Sequence, residues 1–67
     1  MSVAKIIEIN SSSPKSMEAA VQSGLHKCSE TVKNIKGAWV NEIKVVTADD
    51  GTVTEWRVSL RVSFIVS

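Results

Sequence analysis

At 67 residues the chain makes a single domain over positions 1–67, of a size that buries only about 60% of the surface its unfolded form exposes. One cysteine (Cys28), one histidine (His26) and a net charge of +1 exclude a disulfide framework, a Cys/His zinc cluster and the basic footprint of a nucleic-acid binder. With 43% hydrophobic and 22% charged residues the chain folds rather than staying disordered, and the reinforcement left to so small a core is self-association.

Lys5 and Glu8 break up the apolar start of the sequence, and no apolar run approaches a membrane span. Neither a secretory leader nor a transmembrane helix is expected, and with a free thiol the expected location is the cytoplasm. Residues 3–9, rich in isoleucine, predict a first strand that ends in the polar run Asn10-Ser11-Ser12-Ser13. Ser13-Pro14 predicts a helix start, with Ser13 as cap and Pro14 at the first helical position. Apolar residues then recur at 17, 20, 21, 24, 25, 28, 32 and 35, counting Gly24. That stripe predicts a helix over 14–34, with Gly24 tolerable where another element packs closely on it. Cys28 lies on the stripe as a small buried hydrophobe, and His26 lies off it as a surface residue.

Residues 37–48 and 52–66 predict two strands joined by Asp49-Asp50-Gly51, because an Asp-Gly step between β-rich runs marks a hairpin. In the last strand Trp56, Val58, Leu60, Val62, Phe64 and Val66 alternate with Glu55, Arg57, Ser59, Arg61, Ser63 and Ile65. One apolar face lies under a helix, which places Trp56 in the core. The fold class is α+β: a β-α-β-β subunit whose three-stranded antiparallel sheet, in order 1-3-2, packs on one helix. In the second strand Gly37, Trp39, Asn41 and Ile43 share one parity and Ala38 and Val40 the other. An aromatic on the face away from the helix needs a ligand or a partner subunit over it.

Several pieces together resemble the dodecin family. They are Lys5-Ile6-Ile7-Glu8-Ile9 followed by Ser12-Ser13-Pro14, Met17-Glu18-Ala19-Ala20-Val21, Thr31-Val32-Lys33-Asn34-Ile35, and the closing strand from Glu55 to Phe64. The resemblance implies a hollow homo-dodecamer that stores or sequesters flavin (FMN or riboflavin) between aromatic side chains, without catalysis. Family flavin binders place a tryptophan at the start of strand 2 and a glutamine in strand 3. Gly37 stands at the first position here, with Trp39 two residues later on the same face, and Arg57 stands at the second. The cofactor-binding candidates are therefore Trp39, Arg57 and Gly37. Arg57 donates hydrogen bonds but accepts none, so the alternative is a non-flavin relative that binds ions or anions or serves as a structural assembly.

Each candidate also has a plainer role. Trp39 plugs a subunit interface, Arg57 and Arg61 pair with Glu42 or Glu55 of a neighbouring chain rather than forming an anion site, and Asp49-Asp50 is a solvated turn rather than a calcium site. An unrelated RNA-binding module is disfavoured by the balanced charge. An enzyme is not expected, since no acid–base pair or activated nucleophile can be assembled, and no resident metal is expected either.

Overall fold

The computed structural model describes residues 3–66 as β1 (Val3–Ser13), α1 (Met17–Cys28), β2 (Ile35–Thr47) and β3 (Val53–Val66). β3 is the middle strand, antiparallel to β1 on one side and to β2 on the other, giving the order β1-β3-β2. The alternation in β3 explains that central place. Val58, Leu60 and Val62 are buried beneath α1, while Arg57 and Arg61 point out of the opposite face. The β2–β3 hairpin closes at Gly51, whose φ of 89° is the left-handed conformation that favours glycine. Ala48 N–H donates to the Thr52 carbonyl at 2.8 Å, and Thr52 N–H donates to Asp50 Oδ1 at 3.0 Å. That second bond holds the Asp50 carboxyl below its ordinary pKa.

The helix is shorter than its apolar stripe predicts, running from Met17 to Cys28 instead of 14–34. The cap is Ser16, not Ser13: the Ser16 hydroxyl accepts from Ala19 N–H at 3.0 Å. Ser13 is buried and its hydroxyl accepts from Lys15 N–H at 3.1 Å, leaving Pro14 in the connection before the helix. The serine run belongs to β1 rather than to a loop, because Ser11, Ser12 and Ser13 pair with Val58, Arg57 and Trp56 of β3. Tertiary pairing there overrides the low strand propensity of the residues. At the other end, Ser29 Oγ donates to the His26 carbonyl at 2.6 Å and Thr31 Oγ1 to the Cys28 carbonyl at 3.4 Å. Such side-chain bonds compete with helix continuation. Asn34, at φ 61°, then turns the chain into β2; asparagine is among the few non-glycine residues that adopt this conformation readily. Val32 and Ile35 still pack on the core, but from outside the helix.

α1 lies over β1 and β3. It approaches β1 closely at Gly24, where an added Cβ would sit 2.7 Å from Ser11 Cβ and 2.9 Å from its Oγ. The glycine is the close-approach point that its place on the stripe predicts. Ala20, Cys28, Val58, Leu60 and Val62 form the buried core. Trp56, expected within it, is only half-buried. Its cross-strand neighbours are the small Ser13 and the exposed Val45.

β2 carries two irregularities that alternation alone does not reveal. The register slips between Ile35 and Gly37 and again between Val40 and Glu42, leaving Lys36 and Asn41 as extra residues. A bulge shifts every later side chain to the other parity. Ile43 therefore faces the helix side, opposite Val58, instead of sharing a face with Gly37 and Trp39. The molecule is long and thin, 53 × 19 × 13 Å, with a radius of gyration of 13.8 Å. A compact domain of this length has about 11 Å, so the subunit is shaped to be completed by others.

Candidate functional site

The face of the sheet away from α1 carries all three candidate residues. Cross-strand register places Gly37 opposite Ser63, Trp39 opposite Arg61, and Lys44 opposite Arg57. On the β1 side, Glu8 pairs with Arg61 and Ser12 with Arg57. Trp39 is 70% exposed, so a large π-surface lies open to whatever packs on this face. Beside it Gly37 leaves bare backbone, for an added Cβ there would meet nothing closer than Ser63 Oγ at 3.8 Å. Trp39 and Gly37 thus form one flat platform, which Arg61 borders on the neighbouring strand.

Arg57 lies four residues along β3 from Arg61, so it is not part of that platform. It lines a shallow, open groove of about 540 Å³ together with Asn10, Ser12, Glu42, Lys44, Glu55 and Ser59. Its Nε donates to Glu55 Oε1 at 2.7 Å. That hydrogen bond, aided by the guanidinium charge, holds the Glu55 carboxyl below its ordinary value. Arg61 Nε lies 3.5 Å from Glu8 Oε1. Within the single chain both arginines pair with carboxylates of their own subunit. The Arg57–Glu55 pair lies within β3 and the Arg61–Glu8 pair joins β3 to β1, so both form without waiting for assembly.

Sequence reasoning missed Lys44, which the register sets directly across from Arg57. The bulge at Asn41 decides which of the later β2 residues share the open face, and no local residue pattern announces it. Ile6, 61% exposed, also stands on this face opposite Ser63. On the other face Val40, Ile43 and Val45 of β2 are uncovered, because α1 does not extend over that strand. The groups of His, Cys, Asp and Glu among the described residues include none that could hold a metal ion, and no helix there is long and apolar enough to cross a membrane.

The fold recurs in solved structures. A dodecin of Thermus thermophilus is 30% identical and superposes with a TM-score of 0.91, the match covering 100% of this chain and 98% of that one. A dodecin of Streptomyces davaonensis, 24% identical, shares the fold at a TM-score of 0.90 over 98% of this chain and 96% of its own. A calcium dodecin of Mycobacterium tuberculosis, described as a calcium-chelating antigen with a novel calcium-binding site, is 31% identical with a TM-score of 0.81, covering 97% and 91% of the two chains. A comparison with curated protein sequences finds no match. The family model for Dodecin matches residues 3–67, and with the β-α-β-β order and the 1-3-2 sheet of those relatives, the chain belongs to the dodecin family.

Proposed function

We propose that the protein is a non-catalytic cytoplasmic storage shell, a homo-dodecamer that holds flavin against the open face of its sheet. The observation that carries this reading is the pair of uncovered surfaces on opposite sides of one sheet. Trp39 and Ile6 lie on one face, and Val40, Ile43 and Val45 on the other. Surfaces facing opposite ways need two different contacts, and closed assemblies satisfy such contacts by rotational symmetry. A twofold contact at one and a threefold at the other, with their axes crossing at the tetrahedral angle, would close a shell of tetrahedral symmetry, whose order is that of a dodecamer.

The residues fit a flat aromatic ligand by a route of their own. Trp39 offers a stacking partner worth about 0.5–1.5 kcal/mol beyond area burial, and Gly37 leaves the space beside it free. Arg57 supplies hydrogen-bond donors and no acceptor. When bound, flavin brings a planar ring and a polar edge; Trp39 and Gly37 would receive the ring, and Arg57 an acceptor on the ligand. The reading is tested by flavin fluorescence quenching, with sedimentation run in parallel. Trp39→Ala should lose quenching and still sediment as the full assembly. Undiminished quenching by that variant, or none by the unmodified protein, overturns the flavin site. Loss of assembly would instead mark Trp39 as an interface residue.

One observation favours a second reading, a shell that binds anions without flavin. An arginine stands where the family's flavin binders carry a glutamine, and its charge suits phosphate or carboxylate better than a ring N–H.

A further inference from the structure

The turn between β2 and β3 sets a carboxyl beside an unshielded amide. Every aspartate and asparagine of the chain precedes a residue with a side chain, except Asp50, which precedes Gly51. Glycine has no Cβ, so nothing on Gly51 blocks its amide nitrogen from the Asp50 side chain. The surroundings do not block it either, for a Cβ built on Gly51 meets nothing within 4 Å. In the closed hairpin, however, both groups are engaged elsewhere. Gly51 N–H donates to the Ala48 carbonyl at 3.0 Å, and Asp50 Oδ1 accepts from Thr52 N–H at 3.0 Å. The second bond favours the ionised carboxyl, which lacks the proton needed to leave as water.

The tip is also the part of the sheet with least support. β1 ends opposite Trp56, so from Glu55 outward β3 pairs with β2 alone, and a two-stranded ribbon is marginally stable in water. One side-chain bond ties it, from Thr54 Oγ1 to the Val46 carbonyl at 3.1 Å. We infer that Asp50–Gly51 is a self-modification site, at which opening of the hairpin tip releases the Gly51 amide to convert Asp50 into isoaspartate. The Gly51 nitrogen bonds to Asp50 Cγ, and the carboxyl hydroxyl leaves with the amide proton as water, closing a succinimide ring. Water then adds to the Asp50 main-chain carbonyl carbon, whose bond to the Gly51 nitrogen breaks, and the nitrogen regains its proton. Water lost is water regained, so no other reactant is needed. The product's main chain runs through Cγ and is longer by one methylene group, and the side-chain acceptor of the Thr52 N–H is gone. An opening of the tip is thereby recorded covalently.

The folded protein is aged in warm neutral buffer beside a free peptide of residues 45–57, which is also the tryptic fragment that carries the turn. Isoaspartate in that fragment is counted by enzymatic methylation and by its altered retention on reversed-phase chromatography. It should form about tenfold or more slower in the protein than in the peptide, the weight of the two hydrogen bonds that must break first. Thr54→Ala removes the tie to Val46 and should isomerise faster than the unmodified protein. Asp50→Glu can close only a less favourable six-membered ring, and its fragment should stay unmodified. Equal rates in protein and peptide, or in Thr54→Ala and the unmodified protein, overturn release by opening of the tip. Isoaspartate that persists in Asp50→Glu puts the chemistry at Asp49 and overturns the site. No isoaspartate in either the protein or the peptide overturns it as well.

Discussion

Two strands of one sheet, hydrogen-bonded side by side, present the same side to very different surroundings. On the helix side of β3, Leu60 and Val62 are 0% exposed and Val58 nearly so. Their cross-strand partners on β2 are Val40 opposite Leu60 and Ile43 opposite Val58, and Ile43 is 52% exposed. Residue type does not explain the difference, since all of these are aliphatic. The cause is where α1 lies: over β1 and β3, held there by the approach of Gly24 to Ser11. The subunit's own core therefore ends along β3. The apolar side of β2 is core-like sequence that only another molecule can bury.

The largest effect that separates the two strands comes from truncating matched side chains. Leu60→Ala removes a fully buried side chain and should cost about 2–5 kcal/mol, enough to unfold a domain this small under mild denaturant. Ile43→Ala leaves the subunit's own packing nearly intact, and its cost should appear in assembly. Denaturant midpoints read at two protein concentrations distinguish them. The Ile43→Ala deficit should grow with the concentration at which the unmodified protein assembles, whereas that of Leu60→Ala is present throughout. A concentration-independent loss for Ile43→Ala would mean that β2 is buried within the subunit after all.

The contrast between the strands also marks how far the sequence could be read. β3 was legible because a period of two survives any twist, and its clean alternation placed it at the centre. The antiparallel 1-3-2 order followed from that strand and from the Asp50-Gly51 hairpin. β2 was legible only up to Val40. Asn41 is an ordinary residue that becomes a bulge because the two strands must match around it, and past it every facing inverts. Gly37 and Trp39 precede that point and lie on the open face as alternation predicts; Ile43 follows it and lies on the helix side. The helix is shorter than its apolar stripe for a related reason. Val32 and Ile35 continue the apolar spacing and do reach the core, but a loop and a strand deliver them there. Periodicity reports which residues are buried, not the backbone that carries them.

A smaller effect tests what holds the helix over β1 and β3 and not over β2. Gly24→Ala adds a methyl group 2.7 Å from Ser11 Cβ, where neither element can yield cheaply. Alanine improves helix propensity by up to about 1 kcal/mol, while overpacking costs typically about 1–3 kcal/mol. The net should be a loss, measured as a lower denaturant midpoint. Combining Gly24→Ala with Ser11→Gly removes the clashing atoms and should recover part of it, because residues in contact do not act additively. A stabilised Gly24→Ala would show that the close approach is not what positions the helix.

The smallest effect concerns where that helix begins. Ser16 caps it, accepting from Ala19 N–H, with Glu18 in the first turn favourably placed against the helix dipole. Ser16→Ala should cost about 1 kcal/mol, the usual weight of a lost N-cap, and loosen the first turn on the side of the core that Met17 and Ala20 close. Ser13→Ala removes an acceptor from a single turn N–H outside the helix, so amide exchange in residues 17–20 should accelerate only in the Ser16 variant. Equal acceleration in both would return the helix start to Ser13 and Pro14. The cap then would sit at the end of the β1–β3 pairing, and helix and sheet would loosen together rather than in turn.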